Sequence, residues 1–88
     1  MDIIWDKEKN DMLKLRRNIS FEEISEMIIN EEYIDIIENK VREDQLYFVL
    51  GINNYIWLAP FVIDEDSNIV LKTAFPSRKF NKKYGGKQ

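Results

Sequence analysis

Hydrophobic and polar residues alternate along the chain in a way that changes period three times. Asp2 to Trp5 reads as a short strand, because Ile3, Ile4 and Trp5 favour a pleated surface. Asp6 is placed as an N-cap for a helix over Lys7 to Arg17, whose apolar face, built around Met12, Leu13 and Leu15, is narrow. Asn18 suits the left-handed position that ends such a helix. Ser20 followed by Glu23 is a capping box, with Ile19 and Ile24 at the positions of a hydrophobic staple. Phe21, Ile24, Met27 and Ile28 then recur at three- and four-residue spacing, which predicts a second helix ending between Asn30 and Glu32.

Beyond that helix the period falls to two. Tyr33, Ile34, Ile36 and Ile37 mark a strand, and the polar run from Glu38 to Asp44 predicts a loop. Gln45–Ile52 and Tyr55–Ile63 predict two long strands joined at Asn53-Asn54, since asparagine tolerates positive φ in a tight hairpin. Pro60 cannot donate to a ladder, so it predicts an edge position or a bulge. Asp64, Asp66, Ser67 and Asn68 form a turn, Ile69–Phe75 the last strand, and Pro76 its end. A helical turn from Ser77 to about Tyr84 closes the pattern, with Gly85-Gly86 expected to fray. The order implies an α+β fold: an N-terminal strand and two helices packed on an antiparallel meander, in one domain over residues 1–88.

Composition narrows the chemistry. The 88 residues include no cysteine and no histidine, which removes disulfides and thiolate nucleophiles and makes a zinc site improbable. No cofactor or metal is expected, and Asp64-Glu65-Asp66 lacks the spacing of a calcium loop. The first residues do not read as a secretory leader and no apolar run is long enough for a spanning helix, so a cytoplasmic location away from the membrane is expected.

Charge is unevenly distributed. The net charge is −3, yet Lys72, Arg78, Lys79, Lys82, Lys83 and Lys87 cluster after residue 71 with no acidic residue among them. The preceding part holds seven of the 13 basic residues and all 16 acidic ones. Such segregation suggests an interaction segment. Its cations suit phosphates, and Phe80 and Tyr84 offer rings for unpaired bases. The plainer reading, favoured by the residues taken alone because charge runs usually just solubilise, is a solvated tail whose two rings pack onto the sheet.

Ile4-Trp5-Asp6 with Lys9, then Ile19-Ser20-Phe21-Glu22-Glu23, a β meander, and Pro76-Ser77-Arg78-Lys79 with Tyr84 together resemble the BrnT-type toxins of bacterial type II toxin–antitoxin systems. That family is similar in architecture to RelE-type ribonuclease toxins. The resemblance implies metal-independent RNA cleavage by attack of the 2′-hydroxyl, and neutralisation by a ribbon-helix-helix antitoxin. Two positions depart from the family pattern. Arg17-Asn18 stands where a His-Gly pair is common, and Lys82-Lys83 where an acidic residue is common.

The expected catalytic residues are Arg78 as phosphate clamp, Lys79 beside it, and Lys9 for proton transfer. Ser77, Lys82, Lys83, Tyr84, Arg16 and Arg17 are expected to contact RNA, with Arg16 and Arg17 as further candidates for the acid–base role. The partners expected are RNA and an acidic antitoxin docking near Pro60 or the C-terminal segment, with no membrane and no DNA bound by the protein alone. A non-catalytic RNA- or protein-binding module of the same fold is the alternative, and a structural interaction domain a third reading.

Overall fold

A computed structural model describes residues 1–85 of the chain, and it is α+β. The elements are β1 (Ile3–Trp5), α1 (Lys7–Arg17), α2 (Phe21–Ile29), β2 (Asp35–Glu38), β3 (Leu46–Ile52), β4 (Tyr55–Ile63), β5 (Ile69–Leu71) and β6 (Phe75–Pro76). A short helix, α3 (Arg78–Phe80), then runs into a π-helical turn over Asn81–Gly85. The sheet order is β1-β5-β4-β3-β2, with β6 also paired to β4. All pairings are antiparallel except that of β1 with β5, which is parallel. Among the described residues no helix is long and apolar enough to cross a membrane.

The caps form as the side-chain chemistry requires. Asp6 accepts from the Glu8 and Lys9 amides, at 2.8 and 3.4 Å, and Asn18 closes α1 at φ 58°. The Ser20 hydroxyl accepts from the Glu23 amide at 3.1 Å. Asn53 and Asn54 take φ 53° and 63° between the paired residues Ile52 and Tyr55, the conformation of a primed two-residue hairpin. The strand marked by Tyr33 and Ile34 begins in full only at Asp35, because the chain is still unwinding from α2. Glu31 stands at φ 56°, and the Glu32 amide reaches back to the Met27 carbonyl.

The largest difference from the expected pattern lies in β4 and its neighbours. Residues 56 to 61 are all buried, as a central strand covered on both faces must be. Trp57, Ala59 and Phe61 face the helices, packing with Leu13, Phe21 and Ile24. Ile56 and Leu58 point the other way, into a second cluster with Val49, Phe75, Phe80 and Tyr84. The C-terminal segment therefore forms a cover for the second face. Asn81 Oδ1 accepts from the Ile56 amide at 3.1 Å, and the Ser77 amide donates to the Ile56 carbonyl at 2.9 Å. Gly85, expected to fray, is the last residue of the π-helical turn, where a Cβ would stand 2.8 Å from Asn81 Oδ1. Gly86 lies outside the described residues.

Pro60 is not on an edge; of the two expected placements it takes the bulge, since Lys72–Ala74 stand opposite Ala59 and Pro60, three residues against two, between the pairs Phe61–Leu71 and Leu58–Phe75. Its carbonyl accepts from Lys72 at 2.9 Å, which puts its ring nitrogen on the same side, away from β3. On that side the partner of β4 changes. β5 pairs with Phe61–Ile63, Lys72–Ala74 leave the ladder, and β6 returns to Trp57 and Leu58. The missing donor of Pro60 falls in this break, so a proline is tolerated inside the sheet. The strand expected over Ile69–Phe75 is thus two strands, and Pro76 is the last residue of the second, opposite Trp57.

The helical layer is joined by one buried polar side chain. Asn10 is 4% exposed; its Oδ1 accepts from the Phe21 amide at 2.8 Å and its Nδ2 donates to Glu22 Oε1 at 2.8 Å. The bond from Asn10 is the main reason the Glu22 carboxyl titrates below its ordinary range, with a smaller contribution from Lys14. Asn10→Ala should leave the buried Phe21 amide without a partner and cost about 1–3 kcal/mol, read as a lower urea midpoint at unchanged slope. Carboxyl NMR titration should show Glu22 rising toward its usual value in the same variant. The stabilisation linked to Glu22 is present above its unfolded pKa and lost as pH falls through the folded one, so the acid side of the stability profile should flatten.

A candidate nucleic-acid interface

Lys9, Met12, Leu13, Arg16 and Arg17 follow the i, i+3, i+4, i+7, i+8 spacing that puts side chains on one helix face. Leu13 is buried against the sheet, so this face is turned toward the body of the protein. Around it opens a cleft of about 820 Å³, closed on its other sides by the loop after β2 and by the break between β5 and β6. The loop contributes Arg42 and Gln45, and the break contributes Lys72 and Thr73, beside Pro60. Five cations (Lys9, Arg16, Arg17, Arg42 and Lys72) thus line one concave surface.

Two carboxylates, Asp6 and Glu8, share the cleft. Asp6 is occupied as the cap of α1. The ion pairs among the described residues are Lys7–Asp11 at 3.1 Å and Lys14–Glu22 at 3.7 Å, and neither uses a cleft cation. Five cations against two carboxylates, with no ion pair between them among the described residues, leave a positive local potential that favours a bound polyanion. A shallow, open cleft crossed by Arg side chains suits a phosphodiester backbone, since the guanidinium fork matches phosphate oxygens.

The C-terminal cations stand elsewhere. Arg78, Lys79, Lys82 and Lys83 are exposed on the segment that covers the opposite sheet face, and none of them lines the cleft. The expected grouping of Lys9, Arg16 and Arg17 with Arg78 and Lys79 in one site is therefore divided by the sheet. Ser77 is a cap, its hydroxyl accepting from the Phe80 amide at 3.2 Å. Phe80 and Tyr84 pack on the sheet with ring centroids 6.1 Å apart. The Lys79 ammonium lies 5.7 Å from the Phe80 ring and that of Lys83 5.4 Å from Tyr84, so both rings already hold cations. Packing onto the sheet, the plainer of the two readings of these aromatics, describes them.

Lys9, Arg16 and Arg17 are expected site residues of the first helix, though in company with Arg78 and Lys79. Arg42 and Lys72 carry no comparable signal, because only the tertiary fold brings a loop and a ladder break to that face. Among the described residues no group of three or more acidic, histidine or cysteine side chains gathers to hold a metal. Asp64 instead organises its own turn, accepting from the Asp66 and Asn68 amides at 2.9 Å. No family model, curated protein or solved structure matches the chain.

Tyr84 reports on how the C-terminal segment is seated. Partial burial first, and then its hydrogen bond to Asp35 at 3.1 Å, push the phenol above its ordinary value of 10.0. Asp35→Asn should bring it down only part of the way, because burial is the larger cause. An ultraviolet titration checks this: a return to the ordinary value would mean that the ring is not held on the sheet. With the folded pKa raised, the Tyr84 contribution to stability is intact below the unfolded pKa and lost as pH rises through the folded one.

Proposed function

We propose that the chain is an RNA-cleaving toxin of a bacterial toxin–antitoxin pair, and that the cleft beside α1 holds its substrate. The observation that carries this reading is the convergence of five cations, without carboxylate partners among the described residues, on one open cleft. The resemblance to BrnT-type toxins supplies the class of reaction and the antitoxin, and with them a cytoplasmic site of action. Arg16, Arg17 and Arg42 grip the phosphates on either side of the scissile bond and stabilise the extra negative charge of the phosphorane.

The 2′-oxygen attacks phosphorus as its proton passes to the Glu8 carboxylate. The 5′-oxygen leaves with a proton from the Lys9 ammonium, giving a 2′,3′-cyclic phosphate and a 5′-hydroxyl end. Arg78, Lys79, Lys82 and Lys83 extend the cationic surface for RNA leaving the cleft, and the antitoxin silences the protein by covering the cleft.

Induced expression in a bacterium of the intact chain, an Arg16→Ala/Arg17→Ala variant and an Arg78→Ala variant tests this. The intact protein should arrest growth and create new RNA ends, the double variant should cut RNA about 10²-fold more slowly or worse, and Arg78→Ala should retain cleavage. Cleavage that survives the double variant but not Arg78→Ala would move the site to the C-terminal segment. RNA bound but uncut by the folded intact protein would make it a binding module of the same fold. In vitro, the slope of log affinity against log salt for a single-stranded RNA should fall by about 0.7 for each cleft cation removed.

A further inference from the structure

On the other side of α2 from the cationic cleft the surface has the opposite character. A groove of about 700 Å³ is lined by Ile3 and Ile4 of β1, Ile28 and Ile29 of α2, Ile36 of β2 and Phe48 of β3. Three of these aliphatic side chains are left in water, Ile29 at 68%, Ile36 at 42% and Ile4 at 39% exposure. Isolated exposed aliphatics are ordinary, but several gathered along one concave surface mark a contact site. The charged side chains lining it are Asp2 and Glu31, both acidic. Of α2 and the turn after it, Ser25, Ile28, Ile29 and Glu31 line the groove, and no basic side chain does.

We infer that this groove is a docking site for an amphipathic helix of a partner protein, with aliphatic anchors on one face and lysine or arginine along its flanks. The lining comes from one helix and from four strands of the sheet, so a further helix laid beside α2 extends the existing helical layer. Charge selects the occupant. A second copy docked groove to groove would set two acidic rims against each other, whereas basic flanks complement them. This site is independent of the ribonuclease reading, which concerns the cationic cleft and an acidic ligand.

The probe is a fluorescent designed peptide of about 16 residues, long enough for four helical turns, with leucine on one face and lysine on the others. Two controls accompany it, one with every leucine replaced by serine and one with every lysine replaced by glutamate. Anisotropy titration should show binding of the leucine–lysine peptide and a loss of about tenfold or more with either control. Ile29→Gln, which is exposed and leaves the core intact, should weaken binding by a similar factor, with folding verified by thermal unfolding. Arg16→Ala in the cationic cleft should not.

Equal binding of the serine–lysine control would reduce the interaction to charge alone and overturn the inference. So would absence of binding by the leucine–lysine peptide, or an unchanged affinity in Ile29→Gln. Sedimentation showing a self-associated protein that Ile29→Gln converts to monomer would assign the groove to a second copy instead.

Discussion

The side-chain amide of Asn10 bonds in two directions at once, accepting from the first amide of α2 and donating to the Glu22 carboxylate. Only Asn18, Ile19 and Ser20 connect α1 to α2, and without this bond the two helices would be held by apolar contact and the exposed Lys14–Glu22 ion pair at 3.7 Å. Apolar contact is tolerant of rotation, whereas a buried amide with both ends engaged is not. Because Asn10 and Leu13 point inward, Lys9, Arg16 and Arg17 are carried to the mouth of the cleft. Asn10 and Leu13 together thus turn the cationic face of α1 to the cleft.

The sheet performs a division of its own. β4 is buried on both faces, so it needs a cover on each, and the chain supplies α1 and α2 on one side and its C-terminal turn on the other. The basic residues that follow Pro76 are thereby fixed on the face away from α1. Their aromatic neighbours are spent on packing, with the Lys79 and Lys83 ammonium groups lying over the rings. A tail that looks from its composition like a free interaction arm is structural on its inner side and cationic on its outer side.

These two arrangements also show where the sequence was informative. Caps, helices and the Asn53-Asn54 hairpin are local events, decided by side chains within four residues of the backbone they serve, and they form where the periodicity places them. The break between β5 and β6 is different. A continuous pattern from Ile69 to Phe75 hides it, and it becomes visible only beside Pro60, whose missing amide has to fall somewhere without a partner. Asn10 is equally silent in the sequence, a polar residue on a highly charged helix whose role depends on the start of the next helix. Arg42 and Lys72 join the cleft through the same non-local geometry, so the α1 half of the site was legible and the rest was not.

The resulting surface has three regions of distinct chemistry: a cationic cleft, a cationic C-terminal rim on the opposite face, and an apolar groove with an acidic edge. Nucleic acid is drawn to the first two by charge, and the cleft is in addition concave and built from separate parts of the chain. Backbone amide shift mapping of the labelled protein with a short single-stranded RNA tests that distinction most directly. The account predicts that the largest shifts fall along Lys9–Arg17 and at Arg42 and Lys72-Thr73. Shifts confined to Arg78–Tyr84, or none at all, would contradict it.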